Sequence, residues 1–168
     1  LLGIAGLAGS PVLVLIALFV FLGAGAEAAA VETRTAGRGL KVEAMMITQF
    51  QAIPIHARLQ QAVDLLLAGD QREFPVVDNL GRVEGLLTRE SLIRGLAERG
   101  PQSTVGEAMR TQVPVLQPEV GFEAALERLR ASGLPALPVV DPGGGLVGLL
   151  SLDNISELLL VRKAVTKK

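Results

Sequence analysis

Hydrophobic and polar positions divide the chain into two regimes. Residues 1–31 carry a single charged side chain, Glu27, and residues 11–26 carry none. From residue 42 onward the apolar positions come instead in short periodic bursts between turn signals. The unbroken run predicts a helix over 12–31. At about 1.5 Å per residue it is about 30 Å long, the thickness of a bilayer core. Glu27, about one turn from its far end, reads as an interfacial residue. Residues 1–9 are apolar but too few to span a bilayer, and Ser10-Pro11 breaks the pattern. They read as the end of a preceding membrane helix, and the leucine start as a fragment boundary. No basic segment of the kind a cleaved signal peptide needs precedes the run. Gly23, Ala24, Gly25 and Ala26 offer a small-residue face for packing on another helix. Arg34, Arg38 and Lys41 follow at once, in a linker over 32–41. The positive-inside tendency therefore places the remainder on the cytoplasmic side of a membrane.

The remainder is duplicated. Residues 42–97 align on 105–160 with an offset of 63 and no gap, and 16 of the 56 positions are identical. The strongest block sets FPVVDNLGRVEGLLTRESL (74–92) against LPVVDPGGGLVGLLSLDNI (137–155). A repeat of this kind has to be recognised before any fold is argued. Each copy predicts the same elements. A short amphipathic turn opens it (42–46, 105–109), and an extended piece follows (50–53, 113–116). A helix comes next, with Leu59, Ala62, Val63, Leu66 and Leu67 at helical spacing, or Phe122, Ala125, Leu126 and Leu129. Gly69 and Gly133 stop these helices. Then come a buried strand (74–77, 137–140), a turn on Asp78 or Asp141, and a second strand (83–87, 146–150). Thr88 or Ser151 ends that strand and caps a last helix over about 89–99 or 152–162. The predicted class is α/β, helices packed on small mixed sheets in a pseudo-two-fold pair, preceded by a transmembrane helix. The domains are 42–99 and 105–161, and the tail is 162–168. Neither copy buries much core alone.

Composition changes this picture in three places. The chain lacks cysteine, which removes disulfides, thiolate nucleophiles and thiolate metal sites. A lone histidine, His56, leaves no His-Glu-x-x-His zinc motif. It reads as a surface loop residue, and Met45, Met46 and Met109 as core fillers. The net charge of −1 hides a division: residues 42–160 hold 9 basic and 15 acidic side chains, while Arg162, Lys163, Lys167 and Lys168 crowd the tail. An acidic module is not a nucleic-acid binder. The basic tail suits anionic lipid headgroups.

The elements V-x-x-x-M, h-P-V-V-D, a glycine turn and G-h-h-T/S-x-x-x-h, twice in register, resemble the CBS domain, and the pair resembles a Bateman module. The resemblance covers 42–160 and implies an adenosine ligand (AMP, ADP, ATP or S-adenosylmethionine) held between the copies, regulation of an attached enzyme or transporter, and homodimers. It also gives the candidate residues. Thr88 and Ser151 offer a hydroxyl and free N–H groups at a helix start, which favours phosphate, and Arg89 adds a cation. Extended backbone at Ala52-Ile53 and Val115-Leu116 would meet an adenine edge, with Val76 and Val139 as apolar walls. In nucleotide-binding members an Asp three residues after the Thr grips the ribose. Ser91 and Asn154 stand at those positions, so ribose affinity should be weaker, more so at Ser91.

The run SPVLVLIALFVFLGAGAEAAAV (10–31), adjoining such a pair, resembles the last membrane helix of site-2 proteases, intramembrane zinc metalloproteases. This chain has neither their His-Glu-x-x-His nor their Asp-Gly-Gly ligand, so it carries no catalytic residue. The resemblance implies that the catalytic membrane domain, with its zinc, is a partner elsewhere in the parent protein. A transporter or ion-efflux protein bearing the pair, and a ligand-free dimerisation module, are the alternatives.

Overall fold

The computed structural model describes residues 37–166. The segments read as membrane helices, 1–9 and 12–31, lie outside the described residues. Among the described residues no helix is long and apolar enough to cross a membrane.

Copy one opens on a short 3-10 helix, Val42–Ala44. Strand β1 (Ile53–Pro54), helix α1 (Leu59–Ala68), strands β2 (Glu73–Val77) and β3 (Val83–Thr88) and helix α2 (Arg89–Arg99) follow. Copy two repeats the order with α3 (Val105–Ala108), α4 (Phe122–Ser132), β4 (Ala136–Val140), β5 (Leu146–Ser151) and α5 (Leu152–Thr166). The expected helices form, and α5 runs about a turn further than the sequence predicts. The extended pieces shrink. In copy one only Ile53 and Pro54 pair, parallel to β2. In copy two a single bridge joins Leu116 to Val139. Each hairpin is antiparallel, with a register shift at Val76/Val77 and again at Val139/Val140.

Successive strand residues point to opposite faces, and the paired leucines of β3 and β5 use both. Leu87 and Leu150 pack under the helices, while Leu86 and Leu149 join Ala136 in a third cluster between the copies. All four are 0–2% exposed, and each buried leucine contributes about 1.5–3 kcal/mol. Leu67, placed by its spacing on the helix's apolar face, is instead 80% exposed.

The packing units are offset from the sequence repeat. Val42 and Met45 belong to the core of copy two, with Leu116, Phe122 and Leu150. Val105 belongs to that of copy one, with Leu59, Phe74 and Leu92. Backbone bonds fix the exchange: Val42 N–H donates to Val120 O (2.9 Å), and Val105 N–H to Ala57 O (2.8 Å). Ile47 bridges Leu149, as Arg110 bridges Leu86. These pairs interconvert under the offset of 63, and Arg82 bridges its own equivalent, Gly145. The repeat is therefore a structural two-fold. The exchanged segments explain two glycines. A Cβ on Gly85 would overlap the Arg110 carbonyl and the Met109 thioether, and one on Gly148 would overlap Met46.

Candidate functional site

Each last helix starts where a strand ends. Thr88 Oγ1 accepts the Ser91 N–H (3.1 Å), and Ser91 Oγ accepts the Thr88 N–H (3.0 Å). This reciprocal cap occupies the Ser91 N–H and leaves those of Arg89 and Glu90, in the first turn of α2, available to a ligand. In copy two, Ser151 Oγ accepts the Asn154 N–H (3.1 Å) and donates to Asn154 Oδ1 (2.5 Å). The expected caps are present in both copies.

Two clefts open at these helix starts, of about 430 and 560 Å3, within the range of small-molecule sites. The first is walled by Arg72 and the β2 residue Glu73, by Thr88, Arg89, Glu90 and Ile93, by Arg110 of the exchanged segment, and by the turn over 133–135. The second has the equivalent walls, with Ile47 in place of Arg110 and Asp70 in place of Gly133, with Ser151 from the end of β5, and with Asp153, Asn154 and Glu157 from α5. Arg72 and Glu73 line both clefts.

Their electrostatics differ. The first cleft gathers three guanidinium groups, Arg72, Arg89 and Arg110, against Glu73 and Glu90. Glu90 is bonded to Arg94 at 3.1 Å. The second gathers Asp70, Glu73, Asp153 and Glu157 against Arg72 alone. Burial, with the nearby Asp153 charge, pushes the Glu73 carboxyl above its ordinary value, and Arg72 opposes this. A helix N-terminus, a hydroxyl and converging arginines suit a phosphate-bearing ligand in the first cleft. The second is hostile to one.

The proposed contacts are thereby sorted. Thr88 and Arg89 line the first cleft, and Ser151 and Asn154 the second. Ser91 is 3% exposed, committed to the cap, and faces a separate hollow of about 200 Å3 with Arg94 and Gly95. Ile53 and Val76 pair with each other inside the core of copy one, and Leu116 and Val139 do so in copy two, all at 0–1% exposure. Leu116 N–H is spent on Pro138 O (2.9 Å). Ala52 is half-buried and Val115 exposed, and neither lines a cleft. Sequence reasoning missed Arg72, Glu73 and Arg110. Their signal is in the repeat alignment, where they stand against Pro135, Ala136 and Ile47. His56 is exposed, as expected of a loop residue.

The CBS domain model matches residues 42–98 and 105–161. Among curated proteins, a homoserine O-acetyltransferase of Methanohalophilus mahii is 28% identical over 60% of this chain and 20% of its own length. A Mycobacterium tuberculosis protein named as a zinc metalloprotease, Rip3, is 25% identical over 92% of this chain and 40% of its own. The magnesium transporter MgtE of Thermus thermophilus is 31% identical over 50% of this chain and 18% of its own. The chain thus spans less than half the length of each. Two solved structures share the fold. AcuB of Vibrio cholerae has a TM-score of 0.68 and 22% identity, covering 76% of this chain and 96% of its own. CBSX2 of Arabidopsis thaliana, in complex with AMP, has 0.65 and 22%, covering 74% and 99%. The family model, the repeat and the paired fold agree, and the chain belongs to the CBS domain family as a tandem pair.

Proposed function

We propose that this CBS pair is a regulatory module that binds an adenine nucleotide in the Thr88 cleft and governs an attached intramembrane metalloprotease of the site-2 type. The observation that carries the nucleotide reading is the convergence of Arg72, Arg89 and Arg110 on the N-terminus of α2 in a cleft of about 430 Å3. Phosphate would lie against the first-turn N–H groups and the guanidinium groups, with the Thr88 hydroxyl beside it. The CBSX2 complex with AMP supports the ligand class. So does a CBS pair, from protein MJ0100, solved with 5′-methylthioadenosine and S-adenosyl-L-methionine.

The protease attachment rests on the Rip3 alignment. Coverage of 92% of the chain has to take in much of the apolar stretch before Val42. The MgtE alignment covers only half the chain, so the transporter reading is the second choice. On the first reading residues 12–31 tether the module to a membrane, and the pair faces the cytoplasm, able to associate through a second copy. Zinc and the hydrolytic step belong to the rest of the parent protein. Among the described residues no group of three histidine, aspartate or glutamate side chains could hold a metal.

Titration calorimetry of the chain with AMP, ATP and S-adenosylmethionine tests the ligand reading. Saturable binding of an adenine nucleotide, weakened about tenfold in Arg89→Ala, is expected. No heat with any of the three at millimolar concentration overturns it and leaves a ligand-free dimerisation module. A parent gene without His-Glu-x-x-His upstream of this segment overturns the protease attachment.

A further inference from the structure

Several positions in and around one cleft have an equivalent under the offset of 63 that differs in charge. The walls Arg110 and Gly133 of the first cleft are equivalent to the walls Ile47 and Asp70 of the second, Arg89 of the first cleft is equivalent to Leu152, which lines neither, and Arg94, bonded to Glu90 beside the first cleft, is equivalent to Glu157 in the second. Pro135 and Ala136 answer Arg72 and Glu73, which themselves reach into both clefts. At the first four positions the change runs the same way, less positive or more negative on the Ser151 side. One shared feature shows how deep the difference goes. Both helices place a carboxylate in the first turn, Glu90 in α2 and Asp153 in α5. Four residues on, α2 carries Arg94, which bonds Glu90 at 3.1 Å. At that position α5 carries Glu157, which adds like charge. So α2 neutralises its first-turn carboxylate and leaves the N-terminus open to an anion, while α5 reinforces it.

Resting on the nucleotide reading above, we infer that the two clefts are not equivalent: an adenosine phosphate enters only the Thr88 cleft, and Asp70, Asp153 and Glu157 exclude it from the Ser151 cleft, so each chain holds one nucleotide. The cleft is small enough for its charges to act together within a Debye length of about 10 Å. The Glu73 carboxyl, shared by both clefts, is raised first by burial and then by the Asp153 charge. The hydroxyl at the helix start is common to both clefts and does not discriminate. The charged positions around it do, and they are specificity determinants in this sense.

The test is a stoichiometry. The full chain is titrated with ATP, and then a variant carrying Leu152→Arg, Asp153→Asn and Glu157→Arg, which places cations at the equivalents of Arg89 and Arg94 and removes two of the four carboxylates of the second cleft. The three side chains are solvent-exposed, and circular dichroism checks that the fold is kept. The wild-type chain is expected to bind one equivalent, weakened about tenfold by Arg89→Ala. The variant is expected to bind two, the second within about tenfold of the first. Two equivalents of similar affinity in the wild type, or a folded variant that still takes one, overturns the inference and leaves the nucleotide reading standing. No ATP bound by either protein overturns that reading itself.

Discussion

The two halves of the module use one backbone plan for two different surfaces. Under the offset of 63, Leu86 becomes Leu149, Leu87 becomes Leu150 and Gly85 becomes Gly148, and all of them stay buried. Under the same offset Arg89 becomes Leu152 and Arg94 becomes Glu157, on exposed helix surface. Buried positions are held by close packing, which punishes a change of volume. Exposed positions at a helix start are not held in this way, so they are free to set the sign of the field a ligand meets. Both copies keep the scaffold, and on the proposed reading ligand choice lies in the columns where they differ.

The largest effects come from attacking what the halves share. Gly85→Val and Gly148→Val each drive a side chain into the exchanged segment of the other half, against Arg110 and Met109 or against Met46. Each is expected to cost about 2–3 kcal/mol in a urea denaturation curve, the upper part of the range for overpacking. If only one did so, the two seams would not be equivalent.

Next come the residues that separate the halves. Arg89→Ala and Arg110→Ala each remove one cation from the first cleft. Each is expected to weaken ATP binding by about tenfold, the loss of one charged hydrogen bond of about 1.5 kcal/mol. Leu152→Ala, at the position equivalent to Arg89, is expected to leave ATP affinity unchanged. Equal losses at both positions would erase the distinction between the clefts.

The helix caps give a smaller and symmetric effect. Thr88→Ala removes the acceptor for Ser91 N–H, and Ser151→Ala the acceptor for Asn154 N–H. Each is expected to lower stability by about 1 kcal/mol, while only Thr88→Ala also weakens the nucleotide.

The smallest effect is at Glu73, which both clefts share. Its carboxyl is raised above 4.5 by burial and by Asp153, so the folded protein binds that proton more tightly than the unfolded chain does. Ionised Glu73 therefore costs stability at neutral pH, and the cost fades as pH falls through the raised folded value toward 4.5. Glu73→Gln is expected to stabilise the chain at pH 7 by less than about 1 kcal/mol, the scale of a partly solvated charge. Thermal melts across pH 4–7 should show the advantage shrinking as the solution is acidified. A constant advantage would assign the effect to packing instead.

Much of this fold could be read in advance because periodicity and turn chemistry act locally. Leu59, Ala62 and Phe122 mark a helix face, Asp78 and Asp141 mark hairpin turns, and Thr88 and Ser151 mark helix starts. The exchange of Val42 and Val105 could not be read in that way. Aligning a repeat reports which residues are alike and is silent on which core each enters. The same limit governed the site. Ile53, Val76, Leu116 and Val139 were expected to be extended, and they are, but pairing on one side and helices over the other seal them in the core. Arg110 reaches the first cleft only because its segment crosses to the other half. Its departure from Ile47 in the alignment was the one trace of this in the sequence.

The most direct test of the central claim is a nitrogen–proton correlation spectrum of the full chain titrated with AMP. The account predicts that the amides of Thr88, Arg89, Glu90 and Gly133 shift with a common saturation curve, while those of Ser151, Asp153 and Asn154 stay in place. Shifts centred on Ser151 and Asn154, with Thr88 and Arg89 unmoved, would contradict it.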